Sequence, residues 1–264
     1  MPRRIVIHAG FHKTATSSVQ QILRVNRPLL KPVMRSVLKG GMTDLIHAAR
    51  GYSTWRDPLT LEKFARRFEA LLSHQSNMPR RTLCLSAEEL AGHMPGRGAL
   101  VDYTAAAVLA AEMMRIAGQL FPEADLALFY STRAPKAWLH SAYWEHVKSS
   151  SMTLGWNEFA DTYGAAGDLD RVVDDIAAAH PGKVHRARLE QSAHLPAGPA
   201  TPVLDLCGVT RDVQTRLTLP PPANQQRDEA VLLALLAANR DYPDRDARQA
   251  AKLAILKAIQ EETR

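Results

Sequence analysis

Two patterns of apolar and polar positions alternate along this chain: short runs rich in β-forming residues, and longer stretches in which apolar residues recur every three or four positions. The first pattern predicts strands and the second predicts helices. We predict strands over residues 5–9, 82–86, 126–132 and 183–188. Because strands that alternate with helices usually form a mainly parallel sheet with helices on its faces, the pattern predicts an α/β fold.

The helical pattern is clearest over residues 61–74, where Phe64, Phe68 and Leu72 lie on one face and Arg66 lies opposite them. A helix of this kind packs its apolar face on the core and exposes the other face. By the same reasoning we predict helices directly after Gly10, from Pro135, and over residues 100–121, 168–179, 228–240 and 244–262.

Three segments have neither pattern and are predicted to be loops: residues 50–58, 92–98 and 196–222, the last of them rich in proline. Loops of this length often form lids or substrate walls, and they are at least as often plain connectors. No linker separates the predicted strands, and no internal repeat is present. We therefore predict a single domain over residues 1–264, in which residues 223–264 form a helical C-terminal extension.

Length and composition exclude two classes of protein. A chain of 264 residues, 46% of them apolar, buries a sizeable core, so disorder over the whole length is excluded. The longest apolar runs, such as residues 231–238, fall short of the ~20 residues that cross a bilayer. The first apolar stretch covers only residues 5–7, shorter than the core of a secretory signal. We therefore predict no integral membrane segment and a cytoplasmic location.

Cysteine content and charge restrict the ligands. Cys84 and Cys207 cannot build a disulfide framework and lack metal-type spacing, so we predict two buried thiols. The net charge of +6 favours an anionic ligand, although an arginine-rich surface without such a ligand fits as well. No patch of basic and aromatic residues or recognition motif indicates a nucleic-acid partner.

The first chemically informative segment covers residues 5–20. A predicted strand ends at Gly10, a short turn contains Lys13, and hydroxyl residues then begin a helix. Such a turn points backbone N–H groups and the positive end of the helix dipole at one place, which suits a phosphate or sulfate group. The alternative is a strand, a turn and a helix N-cap with an incidental lysine. The ATP-type P-loop has a glycine directly before its lysine, and this segment has His12 there.

The second segment covers residues 125–148. A predicted strand ends at Arg133, Pro135 begins a helix, and Ser141 follows about two turns later. Ligands of α/β proteins bind in crevices outside the carboxyl ends of parallel strands, so Arg133 lies where an anion would bind. The guanidinium is a fixed fork for phosphate. The alternative is an ion pair with a neighbouring carboxylate.

Together the two segments resemble the sulfotransferase family that uses 3'-phosphoadenosine 5'-phosphosulfate (PAPS), its bacterial members above all. The family's strand-turn-helix motif, x-G-x-x-K-T-G-T-T/S-S, is matched at Gly10, Lys13, Thr14, Thr16, Ser17 and Ser18. Its Arg-x-Pro motif with a following helical serine is matched at Arg133, Pro135 and Ser141. The resemblance implies a P-loop-like topology, a 5'-phosphosulfate held by the first motif and a 3'-phosphate held by the second.

Two departures from the family pattern concern single positions. Ala15 stands where the family usually has glycine, and right-handed helical dihedrals at Ala15 would accommodate its methyl group. The C-terminal Arg-Lys-Gly-type loop with which cytosolic members bind the 3'-phosphate has no counterpart here, and Arg227 is a candidate to take its role.

A sulfuryl transfer needs a cation at the leaving oxygen and a base for the acceptor. We assign Lys13 to the leaving oxygen. The predicted strand 82–86 leads into Glu88 and Glu89, and family members often have a catalytic glutamate there, so Glu88 is the preferred base. The alternative is that both are first-turn acids that complement a helix dipole. Competing candidates for the base are His12, His140 and His146.

Other residues near the two motifs are more typical of a core. His8 lies inside an apolar strand pattern and is predicted to be a satisfied core histidine. The aromatic residues after Arg133 either stack on adenine or line the acceptor site, but at helical spacing they are more often core residues; they are Trp138, Tyr143 and Trp144. No histidine is part of an H-E-x-x-H or Cys/His cluster, so we predict no metal.

The functional prediction is transfer of a sulfuryl group from PAPS to an acceptor hydroxyl or amine by in-line displacement. The alternatives are a small-molecule kinase of the P-loop type, with Glu88 or Glu89 organising Mg²⁺, and a non-catalytic nucleotide-binding module. A small molecule, a glycan and a lipid headgroup remain open as acceptors. Neither the acceptor nor the oligomeric state can be read from the sequence.

Overall fold

The central sheet has five strands in the described residues, which are 1–221 and 228–262 of a computed structural model. They are β1 (Arg4–His8), β2 (Met34–Leu38), β3 (Thr82–Ser86), β4 (Asp125–Thr132) and β5 (Val184–Arg188). All strand pairs are parallel, in the spatial order β2-β3-β1-β4-β5. The predicted α/β class with a parallel sheet is confirmed.

The helices alternate with these strands and also cover the two faces of the sheet. Up to β4 they are α1 (Thr16–Val25), α2 (Arg27–Leu30), α3 (Thr43–Trp55), α4 (Pro58–Ser73) and α5 (Ala105–Leu120). Between β4 and β5 they are α6 (Pro135–Ser149), α7 (Trp156–Tyr163) and α8 (Leu169–Ala179). After β5 they are α9 (Leu189–Ser192), α10 (Thr201–Leu206), α11 (Arg211–Thr215), α12 (Glu229–Asp241) and α13 (Arg245–Glu262).

Four strands and most helices agree with the sequence pattern, and the differences have identifiable causes. Strand β2 was not predicted, because Arg35 and Ser36 interrupt the apolar run of this edge strand. The predicted loop 50–58 is wrong up to Trp55, since α3 continues through Gly51 to that residue. The predicted proline-rich loop contains α10 and α11. Helix α5 begins at Ala105, five residues later than predicted.

Each face of the sheet has its own core, and strand residues alternate between them. On β1, Ile5 and Ile7 pack among side chains of α3 to α6, whereas Val6 packs with α1 and α10. Full burial of each large side chain, such as Phe64 or Trp138, contributes roughly 1.5 to 3 kcal/mol. The two layers fix the ends of β1, β3 and β4 relative to one another.

Helix α6 is anchored at its C-terminal end by the helical extension, α12 and α13. Asn239 of α12 donates hydrogen bonds to the carbonyls of Val147 (3.0 Å) and Met152 (2.8 Å). The buried Lys252 ammonium of α13 donates to the carbonyls of Val147 and Ser150, both at 2.6 Å. The last carbonyls of a helix lack intrahelical partners, so these side chains satisfy groups that would otherwise be orphaned.

Two further predictions concern single features. Both Cys84 and Cys207 are fully buried free thiols, as predicted. None of the described helices is long and apolar enough to cross a membrane. Arg227, the candidate for the 3'-phosphate, lies outside the described residues.

The carboxyl ends of β3, β1 and β4 lie side by side. His8, the last residue of β1, is in register with Ser86 on one side and Phe129 on the other. The connection from β1 leads toward β2 and that from β4 leads toward β5, in opposite directions across the sheet. A reversal of this kind opens a crevice in which α/β proteins bind ligands.

Candidate functional site

The turn after β1 passes so close to the end of β4 that only glycine fits at its start. A Cβ on Gly10 would lie 2.6 Å from Ser131 Oγ and 2.7 Å from His8 Nε2. His8 is fully buried, its Nδ1 lies 2.8 Å from Ser86 Oγ, and burial lowers its pKa to about 4. The prediction of a satisfied core histidine is confirmed.

Two threonine hydroxyls of the first motif stabilise the turn itself. Thr14 is fully buried, donates to the Phe11 carbonyl (2.6 Å) and lies 2.7 Å from the Ser131 hydroxyl. Thr16 donates to the same carbonyl at 3.3 Å. Ser17 is exposed and Ser18 is half-buried at the start of α1. The backbone N–H groups of the turn and these two serines are therefore the groups best placed for a ligand.

The turn adopts a left-handed backbone at two residues that are not glycine. The φ angles are 67° at Lys13 and 68° at Ala15. Ala15 is the N-cap of α1, so the right-handed dihedrals that would accommodate its methyl group are not adopted. Left-handed dihedrals cost an L-residue roughly 1 to 2 kcal/mol, and such strain is concentrated at functional sites.

Arg133 lies against the lysine turn. Its Nη1 donates to the Lys13 carbonyl at 3.1 Å, and Trp138 Nε1 of α6 donates to the His12 carbonyl at 2.9 Å. The two motifs, 120 residues apart in sequence, therefore meet at the crevice between β1 and β4. Among the described residues no carboxylate oxygen lies within 4.0 Å of the half-buried Arg133 guanidinium, so the alternative of an ion pair is not observed.

The Lys13 ammonium has a partner that the sequence analysis missed. Glu145 Oε2 of α6 lies 2.9 Å from Lys13 Nζ. Burial opposes ionisation of Glu145, but the charges of Lys13 and Lys148 outweigh it and lower the pKa of this carboxyl to about 2. Residues four apart share a helix face, so the half-buried Ser141 lies on the face of α6 that Glu145 occupies. That spacing was a signal by which Glu145 could have been found.

Two carboxylates follow β3 in a short 3₁₀ turn, Glu88–Ala91. Glu88 accepts hydrogen bonds from Gln20 Nε2 and Lys39 Nζ, both at 3.0 Å. Burial raises the pKa of Glu88, but the charge of Lys39 and the hydrogen bonds to the carboxylate lower it more, so the carboxyl is ionised at neutral pH. A four-residue turn has little macrodipole, which removes the physical basis of the helix-dipole alternative.

Glu89 is fully buried beside Glu88, and we call the part of the site that these two glutamates form the corner of Glu88 and Glu89. Glu89 Oε1 accepts from Lys39 and, at 2.5 Å, from Arg50 Nη2 of α3. Sequence analysis missed both cations because Lys39 follows the unpredicted strand β2 and Arg50 lies in the predicted loop. No pattern within either segment indicates that it faces Glu89.

Comparisons with known proteins give little. No protein-family model and no curated protein matches the chain. Among solved structures, a sulfotransferase from Alicyclobacillus acidocaldarius is similar at 16% identity and a TM-score of 0.48, over 94% of this chain and 99% of that one.

His12 lies between the lysine turn and the two glutamates. Burial lowers its pKa to about 4, so the imidazole is neutral at pH 7, and its Nδ1 lies 3.2 Å from Tyr103 Oη. One ligand atom each from His12, Glu88 and Glu89 lie within 4.8 Å of one another, a donor set that suits a divalent cation. Lys39 and Arg50 already balance the two carboxylate charges, so we do not assign these groups as metal ligands.

The other histidines considered as a base have structural partners. His146 is buried and its Nε2 lies 2.7 Å from the Pro95 carbonyl, which fixes the loop 92–98 against α6. His140 stacks on Trp156 with ring centroids 4.0 Å apart. Trp138 and Tyr143 are buried core residues, and Trp144 is partly buried against the same core. Of the four candidates, Glu88 and His12 adjoin the lysine turn.

Proposed function

We propose that this protein is a sulfotransferase that moves a sulfuryl group from PAPS to an acceptor hydroxyl or amine. The observation that carries the proposal is the 3.1 Å hydrogen bond from Arg133 to the Lys13 carbonyl. It brings to one crevice the turn that contains Lys13 and a guanidinium that has no carboxylate oxygen within 4.0 Å among the described residues. PAPS has phosphate groups at its 5' and 3' positions, so a protein that binds it needs two anion-binding groups side by side.

The proposed donor site uses both motifs of the resemblance. The turn from Gly10 through Ala15, with Thr14 and Thr16 holding its shape, presents N–H groups to the 5'-phosphosulfate together with Ser17 and Ser18. Arg133 and Ser141 bind the 3'-phosphate. Lys13 stabilises negative charge on the phosphate oxygen that leaves.

The proposed step is an in-line displacement. The acceptor oxygen or nitrogen forms a bond to sulfur while the bond from sulfur to the phosphate oxygen breaks, and Glu88 takes the acceptor proton. The products are the sulfated acceptor and adenosine 3',5'-bisphosphate. Gln20 and Lys39 hold the Glu88 carboxylate in place.

The kinase alternative is weaker because Lys39 and Arg50, rather than open coordination positions, face Glu88 and Glu89. A small molecule or glycan remains the proposed acceptor class, without a metal cofactor. The cytoplasmic location remains a prediction from sequence.

Ligand-dependent thermal stability tests the donor. Adenosine 3',5'-bisphosphate should raise the melting temperature more than Mg-ATP or adenosine 5'-monophosphate does. Arg133→Ala should weaken its binding by about 1.5 to 3 kcal/mol, the value of a hydrogen bond to a charged group. Arg115→Ala, at an exposed arginine paired with Glu112, is the control and should bind normally. A larger shift with Mg-ATP would contradict the proposal.

Turnover is tested with labelled PAPS and a panel of phenols, alcohols, amines and glycans. Lys13→Ala should abolish label transfer and leave the melting temperature within a few degrees of wild type. Full activity in that variant would exclude the assigned role of Lys13.

A further inference from the structure

We propose that Tyr103 is a positioning residue that fixes the proton of His12 on Nε2, so that His12 acts in the site as a hydrogen-bond donor and not as a base. The catalytic part of this inference rests on the proposed function. The tautomer does not, since it follows from contacts within the chain.

The Tyr103 hydroxyl is buried and keeps its proton. The side chain is 1% exposed and packs between Phe11 and Trp138, with ring centroids 4.7 and 6.2 Å away. Burial raises the pKa of its hydroxyl well above the ordinary value, against a smaller opposite effect of the His12 backbone N–H. A buried O–H that donates to nothing costs about 1 to 3 kcal/mol, so this proton needs an acceptor.

The acceptor that the described residues offer is His12 Nδ1, 3.2 Å from Tyr103 Oη. A nitrogen that accepts a hydrogen bond bears no proton. Because a neutral imidazole has one N–H, the proton of His12 is then on Nε2. The opposite arrangement, in which Nδ1–H donates to Tyr103, would leave the phenol proton without an acceptor.

The charged groups that face His12 leave its neutral state unchanged. Glu88 and Glu89 favour the cation, Lys39 and Arg50 oppose it, and burial exceeds all of them. His93 lies with its ring centroid 6.3 Å from that of His12. The hydrogen bond from Trp138 Nε1 to the His12 carbonyl also fixes the backbone of His12.

An Nε2–H group on His12 decides which residue of the site can act as the base and which acts as a hydrogen-bond donor. It cannot take a proton from an acceptor, so Glu88 remains as the base. Nδ1 is bound to Tyr103, so Nε2–H is the ring group of His12 that is left to contact a ligand. A donor there can hydrogen-bond an oxygen of the transferred sulfuryl group as charge develops on it.

The tautomer is measured directly by long-range ¹⁵N–¹H correlation NMR of the full chain with labelled histidine. His12 is assigned by the signal that disappears in His12→Asn. At pH 7 the wild-type signal should be that of the Nε2–H form. A signal of the Nδ1–H form would overturn the proposal, whether or not the protein transfers sulfate.

A matched pair of tyrosines tests the positioning role. Tyr130 is fully buried, stacks on the same Phe11 ring at 5.5 Å, and its hydroxyl has no hydrogen-bond partner among the described residues. Tyr103→Phe should give a mixture of His12 tautomers and lower kcat by about tenfold with the KM for PAPS unchanged. Tyr130→Phe should change neither property.

Equal effects of the two substitutions on the His12 signal, or no effect of either, would overturn the proposal. If Tyr103→Phe does not fold, the tautomer of His12 in the wild-type protein still tests the proposal. Absence of turnover in wild type together with the Nε2–H form would count against the proposed sulfotransferase activity and leave the assignment of the tautomer intact.

Discussion

At the scale of single residues, the most unusual feature is the backbone of the lysine turn. Lys13 and Ala15 both have positive φ values in a segment that contacts Arg133 and begins α1. At Lys13 the strained residue bears the side chain that pairs with Glu145. At Ala15 the methyl group cannot offset this strain, whereas glycine adopts left-handed dihedrals without it.

Ala15→Gly should therefore stabilise the protein. Relief of left-handed strain contributes roughly 1 to 2 kcal/mol, and the added freedom of the unfolded chain offsets about 0.4 to 1 kcal/mol of this. Urea unfolding should show a gain of up to about 1.6 kcal/mol. Ala70→Gly, at an exposed position inside α4, is the control and should lose about 0.5 to 1 kcal/mol. A loss of the same size in both variants would contradict the strain argument.

The ion pair of Lys13 and Glu145 should make stability depend on pH. The pKa of Glu145 is lowered from 4.5 to about 2, so its contribution is complete above pH 4.5 and is lost as pH falls toward 2. The difference in unfolding free energy between wild type and Glu145→Gln should therefore shrink from pH 5 to pH 3. Urea unfolding at both values measures it. A difference that stays constant would show that the pair contributes no pH dependence.

At the scale of elements, the corner of Glu88 and Glu89 depends on segments that the sequence pattern did not resolve. The turn with Lys13 was predicted because strand, turn and helix are continuous in sequence. Lys39 and Arg50 were not, because their positions depend on how β2 and α3 pack against β3. Glu145 was missed for a similar reason: which face of α6 meets the lysine turn is decided by packing. Local spacing predicts a motif, but its counter-charges come from tertiary contacts.

Arg50→Leu tests the contribution of α3, the helix that supplies the second cation beside Glu89. The change leaves the fully buried Glu89 carboxylate with Lys39 as its remaining cation, so the free energy of unfolding should fall by about 1.5 to 3 kcal/mol. Arg67→Leu removes an exposed pair with Asp44 and should cost at most about 1 kcal/mol. Urea unfolding compares the two. Similar losses would mean that Arg50 acts as an ordinary surface residue.

At the scale of the whole molecule, the two faces of the sheet have different roles. On one face α1 begins at the lysine turn, and on the other α6 bears Ser141 and Glu145. The crevice between β1 and β4 is where these two layers meet. Its geometry therefore depends on how α6 is held, and α12 and α13 hold its far end.

Lys252→Met tests this long-range support. The change leaves the Val147 carbonyl with Asn239 as its side-chain donor and removes the ammonium that binds the Lys148 and Ser150 carbonyls. The free energy of unfolding should therefore fall by about 1.5 to 3 kcal/mol. Binding of adenosine 3',5'-bisphosphate should weaken several-fold in calorimetric titration, because Ser141 belongs to the loosened helix. Lys257→Met, an exposed position on α13, is the control. Unchanged nucleotide affinity in Lys252→Met would show that the contact of α13 with α6 does not affect the nucleotide site.

The Lys252 contact has a practical consequence for anyone trimming this protein. Residues 245–258 have none of the motif residues and would be the first to be discarded when a minimal catalytic fragment is cut by motif alone. Such a fragment would keep every group that we expect to touch the nucleotide and still release the end of α6, the helix that bears Ser141.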